Sequence, residues 1–360
     1  MIFPVVLGQE RARAVIARLL VSGRLPHAFL LHGPAGVGKG LVAHLFAASL
    51  VCNEPREDAT GCGSCAACVK AAHGNHPDVL LVTRLPKKDR PGESTADDPE
   101  DGEDEGTGKA GDLRPFIVVQ QIRELNHHAA YAPREGRRRV FIVDPADRMN
   151  AESQNALLKT LEEPPGQAVI VLVASRPHVL LPTVRSRCFQ IGFGALSPDE
   201  LASGLVSLGM GPAEAEARAA LAEGRPGRAI SLDLASLAAR RDQLLAALEA
   251  LASSPRAAAA LTEYAGQVIG ESETDLLEGL DLLMALARDA ARAASGSTAI
   301  LHADVAPRID RLGRALGAAR AAELVALIDR LRGDLRLNLN KTLVAETILA
   351  AFAGGPAAVA

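Results

Sequence analysis

The sequence has no tryptophan, two tyrosines and eight phenylalanines, so aromatic residues fill only 3% of its 360 positions. A surface that grips nucleic acid chiefly by stacking bases on aromatic platforms is excluded. An excess of one charge is missing too: 39 Lys and Arg stand against 43 Asp and Glu, a formal net charge of −4. Ten of those acids but only four bases fall between Lys87 and Asp112, which leaves the remaining chain close to neutral. This balance excludes a strongly basic protein with its own nucleic-acid footprint, yet it permits a DNA role shared with partner subunits. Long apolar runs are also absent. The longest, Ala168 to Ala174, is far below the ~18 residues needed to span a bilayer. The N-terminus lacks the charged-then-apolar pattern of a secretory signal, and a cytoplasmic location is expected.

Apolar residues at 48% and charged residues at 23% are ordinary globular proportions, with length for two or three domains. Phe29-Leu30-Leu31-His32 is a short apolar run ending at Gly33, after which helical spacing resumes at Leu41, Leu45 and Ala48. Further apolar runs at Val79–Val82, Val140–Val143 and Val169–Val173 alternate with helical patterns over Val119–Ala130 and Ala151–Glu163. Such uninterrupted strands predict a parallel sheet covered on both faces, an α/β domain over residues 1–194. Between Lys87 and Asp112 the chain turns acidic and Gly/Pro-rich with almost no apolar residue. That composition predicts a disordered insertion, about 87–112. After Gly194 the strand signal stops. Ser197-Pro198-Asp199-Glu200 reads as a helix start, with Ser197 capping and Pro198 in the first turn. Two helical units are expected, 195–235 and 236–360, with frayed residues from Gly354 to Ala360.

Gly33-Pro34-Ala35-Gly36-Val37-Gly38-Lys39-Gly40 matches G-x-x-x-x-G-K between a strand and a helix. Gly33, Gly36 and Gly38 let backbone N–H groups curl around phosphates, the helix N-terminus adds partial positive charge, and Lys39 neutralises the outer phosphates. ATP fits this cradle. The next position should offer a hydroxyl to Mg²⁺ but is Gly40. Asp144, ending the strand Val140–Val143, is placed to hold the metal through water, but Pro145 follows it and supplies no second carboxylate. Asp147 is expected to cap the helix starting near Met149, with a catalytic rescue as the alternative. The two deficits predict a site that binds nucleotide and scarcely hydrolyses it.

Of five cysteines, Cys52, Cys62, Cys65 and Cys68 form C-x9-C-x2-C-x2-C, with Gly61 and Gly63 allowing tight turns. In a reducing compartment such crowding argues for metal rather than disulfides. A structural Zn²⁺ site with all four ligands from protein is expected; an iron–sulfur cluster also uses four thiolates, though no redox-cofactor signature accompanies these. His73 and His76 read as surface or helix-end residues, and Cys188 as a small core residue. Arg134, Arg137, Arg138 and Arg139 form the densest basic run, suited either to DNA phosphates or to a solvated turn before a buried strand.

In order along the chain, Gly8-Gln9, Pro26-His27-Ala28, the cysteine module, Gln121-Ile122-Arg123-Glu124-Leu125, the run Asn155-Ala156-Leu157-Leu158-Lys159-Thr160-Leu161-Glu162-Glu163-Pro164-Pro165, Ser186-Arg187-Cys188, and Asn338-Leu339-Asn340 with Leu343 and Glu346 resemble the clamp-loader subunits of bacterial DNA polymerase III, within the AAA+ family. The resemblance implies an AAA+ P-loop domain with a zinc-binding insertion, a small helical lid and an all-α collar for oligomerisation. It also implies a hetero-pentamer with gamma/tau and delta subunits that uses ATP to open a sliding clamp and load it on primer-template DNA. Arg187 is implied to be an arginine finger reaching in trans to a neighbour's ATP. Arg185 is its competitor for that role, and an ion pair within its own domain is the plainer alternative. Arg228 matches the second-sensor arginine facing nucleotide in cis, although Arg225 replaces a residue that is often small. Ser175 matches the first-sensor position, where the family commonly has Thr-Asn. Gly40 and Pro145 point to a largely non-hydrolysing scaffold subunit. A hydrolysing, gamma/tau-like motor subunit is the alternative, and a zinc-dependent DNA-binding protein unrelated to loading a third reading.

Overall fold

The computed structural model describes residues 5–86, 113–253, 273–298, 300–334 and 341–353. The expected insertion at 87–112, the terminal residues 354–360 and the Asn338-Leu339-Asn340 motif lie outside the described residues. The chain divides into two compact units, Met1–Leu232 and Asp233–Ala360.

In the first unit, α1 (Glu10–Ser22) leads into β1 (Ala28–His32), α2 (Lys39–Val51), α3 (Ala66–Ala72), β2 (Val79–Val82), α4 (Val119–Ala129), β3 (Arg139–Val143), α5 (Ala151–Glu162), β4 (Ala168–Ala174), α6 (Pro182–Ser186) and β5 (Phe189–Gly192). The five strands are all parallel in the order β2-β3-β4-β1-β5. Phe29 stands beside both Val171 and Phe189, and Phe141 beside Ile170. Successive strand residues point to opposite faces, so two cores form. Phe29, Leu31, Val140 and Ile142 pack with α1 and α2, while Leu30, Phe141, Val143 and Ile170 pack with α4 and α5. Phe141 is fully buried, and its truncation to alanine would cost about 3–5 kcal/mol.

Register carries the ends of β1 and β4 to the same sheet edge, with His32 opposite Ala174, and Val143 opposite Leu172 brings Asp144 beside them. This carboxyl-end crevice is where ligands of open parallel sheets bind.

Three helices follow the sheet: α7 (Pro198–Ser207), α8 (Pro212–Leu221) and α9 (Pro226–Ser231). Ser197 Oγ accepts from the Glu200 amide at 3.2 Å and the Glu200 carboxylate accepts from the Ser197 amide at 2.8 Å, a reciprocal cap. Leu201, Leu205, Ala215, Ala219 and Ala229 form a separate small core. Arg218 Nη1 binds the carbonyls of Ala229 and Leu232 at the end of α9, at 3.0 and 2.7 Å. Together these features give the P-loop α/β sheet with an appended helical lid that the resemblance implies.

The second unit contains α10 (Leu234–Ser253), α11 (Glu273–Ala294), α12 (Ala306–Leu316), α13 (Ala318–Asp334) and α14 (Lys341–Ala353). Leu244, Leu248, Leu283, Leu286, Ile309, Ile328, Ile348 and Phe352 share one core. Inside this bundle Asp289 and His302 are both buried, with Oδ2 and Nδ1 2.8 Å apart. The Asp289 carboxylate also accepts the amides of Leu301 and His302 at 2.8 and 3.0 Å.

Candidate functional site

The loop between β1 and α2 turns back at Gly33, whose φ of 141° places it outside the range of most residues; a Cβ there would strike the Phe193 carbonyl oxygen. Gly38 forms the N-cap of α2, which points the first amides of the helix at the loop. Lys39 opens α2 and is buried. Its ammonium donates to the carbonyls of Gly33 and Pro34 at 2.8 and 2.6 Å and to Ser175 Oγ at 3.3 Å. Burial lowers the Lys39 pKa, with Asp144 and Asp147 opposing that shift, and burial raises the Asp144 pKa against the pull of Lys39 and His44.

Gly40 and Asp144 are directly apposed, and a Cβ on Gly40 would sit 2.8 Å from Asp144 Oδ2. A serine or threonine hydroxyl would therefore stand beside the carboxylate; glycine provides none. The structure corrects the expectation for Asp147. The cap of α5 is Asn150, whose Oδ1 accepts the Ser153 amide at 2.8 Å. Asp147 lies in a short 3-10 turn (Ala146–Arg148) and instead accepts the Ser175 amide at 3.2 Å and Arg176 Nε at 3.4 Å. It fastens the end of β4 beside the loop.

The lid meets the phosphate loop directly, since the Gly227 amide donates to the Gly36 carbonyl at 2.8 Å. Arg228 enters α9 one residue later, and its Nη1 lies 3.8 Å from Glu223 Oε2, which also takes Arg225 Nη2 at 2.7 Å. Arg187 ends α6, half-buried. Its Nη2 pairs with Glu162 Oε1 at 2.6 Å and its Nη1 donates to the Thr183 carbonyl at 2.9 Å. Arg185 Nε is buried with no hydrogen-bond partner among the described residues.

Beyond the far end of α2, Cys52, Cys62, Cys65 and Cys68 bring their four Sγ atoms within 4.8 Å of one another. Cys52 and Cys65 are 3.8 Å apart and Cys62 and Cys68 4.0 Å. A tetrahedral ion with sulfur at about 2.3 Å requires sulfurs about 3.8 Å apart, so the set fits one metal ion. The Cys65 amide and the Ser64 groups hold the Cys62 thiol down to about 6, whereas burial pushes Cys68 up to about 12. His73 is not among the grouped sulfur ligands, and its Nδ1 lies 2.8 Å from the Val69 carbonyl. His76, expected at the surface or a helix end, is buried and its Nδ1 accepts the Asp78 amide at 3.0 Å. Cys188 packs in the sheet core, and burial pushes its thiol up to about 12.

The profile of a family described as "DNA polymerase III, delta subunit" matches residues 8–197, more than half of the chain. The chain belongs to this family. It is 36% identical over 242 residues to DNA polymerase III subunit delta' of Pseudomonas aeruginosa, covering 66% of this chain and 65% of that protein. It is 35% identical over 196 residues to DNA polymerase III subunit gamma/tau of Mycobacterium tuberculosis, 54% of this chain and 29% of the relative. The matched stretch thus spans less than two thirds of either relative. Among solved structures, a DNA polymerase III gamma subunit-related protein from Thermotoga maritima aligns over 94% of this chain and 98% of its own, at 19% identity and a TM-score of 0.43.

Sequence reasoning missed Asp78, fully buried beneath the basic run. Oδ1 accepts the Arg134 amide at 2.7 Å, and Oδ2 accepts those of Glu135 and Gly136 at 2.7 and 2.8 Å. Its signal is faint: an acid placed directly before a predicted strand. It also missed that Arg139 is itself a buried strand residue rather than part of a solvated turn.

Proposed function

We propose that the chain is a delta-prime-like clamp-loader subunit of DNA polymerase III that scarcely hydrolyses ATP and completes a neighbouring subunit's nucleotide site. The observation that carries this reading is the apposition of Gly40 and Asp144 without a hydroxyl between them. Gly33, Gly36, Gly38 and Lys39 retain a phosphate cradle, and Arg228 enters from the lid; ATP can bind there. A bound Mg²⁺ would have Asp144 but no loop hydroxyl, and Pro145 offers no second carboxylate to orient water.

In this reading Arg187 leaves Glu162 in the assembled ring and points its planar fork at the γ-phosphate held next door. The partners are gamma/tau and delta subunits in a hetero-pentamer, joined through the helical unit as a collar. The assembly acts on a sliding clamp and primer-template DNA in the cytoplasm. Among the described residues no helix is long and apolar enough to cross a membrane. The division into an AAA+ domain (1–194), a lid (195–235) and a collar (236–360) belongs to the same proposal. The ion of the cysteine module is Zn²⁺. The sulfur spacing supports one ion rather than a multi-iron cluster, whose thiolates stand farther apart, and four protein ligands leave no open position for chemistry.

The test is ATP turnover by the purified chain alone and after reconstitution with motor subunits and clamp. Negligible turnover alone, with loading that requires this chain in the complex, is expected. Brisk hydrolysis by the lone chain, abolished by Lys39→Ala, would identify a motor subunit instead.

A further inference from the structure

At the opposite end of β3 from Asp144, a cavity of about 500 Å³ is lined by His127, His128, Tyr131, Ala132, Arg134 and Arg139. Among the described residues its lining carries two guanidiniums, two imidazoles and a phenol, and no carboxylate. We propose that this cavity is a second anion site, taking a phosphoryl oxyanion that is either free or part of a polynucleotide backbone.

The decisive residue is Arg139, only 3% exposed. Its Nη1 donates to the His128 carbonyl at 3.0 Å, which fixes the fork, but its Nε is buried without a hydrogen-bond partner among the described residues. The nearest carboxylate oxygen, Asp78 Oδ1, lies 4.0 Å from that nitrogen, beyond hydrogen-bonding reach. Asp78 is an incomplete counter-ion because its carboxylate is already committed to three backbone amides. Burial alone would raise its pKa, but those amides and His76 hold it below the ordinary carboxylate value. Because Nε is itself enclosed, an anion in the cavity would meet Arg139 through its remaining Nη donors, and a buried guanidinium with spare donors is costly unless something accepts from them.

The surroundings reinforce the cation excess. Arg134 is exposed, and its backbone is pinned by Asp78. Glu135, the acid nearest in sequence, turns away to Lys70 at 2.6 Å. Tyr131 Oη and His127 Nε2 are hydrogen-bonded at 3.3 Å and their rings meet edge-on with centroids 5.1 Å apart, so they hold each other on the rim. Two planar guanidinium forks match the oxygens of a phosphoryl group, and the volume leaves room for the sugar that carries a phosphate.

The experiment uses the full chain with Lys39→Ala, so that the phosphate loop does not compete. Imidazole C–H NMR signals of His127 and His128 are followed while inorganic phosphate, an oligonucleotide without terminal phosphates, or potassium chloride at matched ionic strength is added. A saturable shift with phosphate or the oligonucleotide but not with chloride is expected. Phosphate acting alone marks the source as free or terminal phosphate, and the oligonucleotide acting marks it as backbone phosphodiester. Arg134→Ala, at an exposed position, should weaken binding about tenfold. Equal shifts with chloride, no saturable shift with either phosphate source, or unchanged affinity in the Arg134→Ala chain would overturn the assignment.

Discussion

Arg187 is held by Glu162, its Nη2 2.6 Å from Oε1, although both side chains are partly open to solvent. Exposed pairs of this kind contribute about 0–1 kcal/mol, so the clasp is weak enough to release. Glu162→Gln should therefore leave the denaturation midpoint of the isolated chain nearly unchanged. Arg187→Ala should do the same while slowing ATP hydrolysis by the reconstituted complex, because a finger in trans contributes about 10³-fold or more at the one site it serves. Steady-state and single-turnover ATPase assays check this; an unchanged single-turnover rate removes Arg187 from the role.

Gly40→Ser places a Cβ 2.8 Å from Asp144 Oδ2, so the carboxylate must rotate or accept from the new hydroxyl. The expected outcome is tighter Mg²⁺-dependent ATP binding without appreciable turnover, since Pro145 still stands where a second acid would be needed. Equilibrium binding of ATP with and without Mg²⁺, followed by phosphate-release measurements, separates the two effects.

Elemental analysis of the purified chain should find about one zinc ion per molecule, and Cys65→Ser with Cys68→Ser should abolish it. Metal binding at a site absent from the unfolded chain stabilises the fold, so a strong chelator should lower the thermal midpoint. The loop after α4 should loosen as well, because Lys70 pairs with Glu135 and Arg137 reaches the Asn53 carbonyl at 3.4 Å. Amide hydrogen exchange at Arg134, Glu135 and Gly136 would show that loosening.

The helical unit should be acid-sensitive through Asp289. Burial alone would raise its pKa, but His302 and the amides of Leu301 and His302 hold it below the usual carboxylate value. A depressed folded-state pKa adds stability above the unfolded value near 3.9, and that stability is lost as pH falls through the lower folded one. Asp289→Asn should cost about 3 kcal/mol at neutral pH and flatten the pH dependence in the acid range. Urea unfolding of the full chain across about pH 2 to 7 provides the comparison.

The parts of this molecule that were legible in its sequence are those whose chemistry is local. β1, β3 and β4 are apolar on both faces because the sheet is covered on both, and such runs announce themselves. The phosphate loop and the cysteine module are contiguous enough to be read by spacing. β5 left no clear signal: it is four residues at a sheet edge, with only Ile191 buried. Asp147 looked like a cap because it precedes a helix, yet Asn150 stands nearer, and only the parallel register brings Ser175 to Asp147. The Glu162–Arg187 pair and the burial of Asp78, His76 and Arg139 likewise depend on which strands and helices become neighbours. No spacing rule encodes that.

The hydrogen bond from the Gly227 amide to the Gly36 carbonyl, with Arg225 and Arg228 packed beside it, ties the curvature of the loop to the start of α9. The first turn of α9 is therefore seated on the loop that a ligand in the crevice would have to touch.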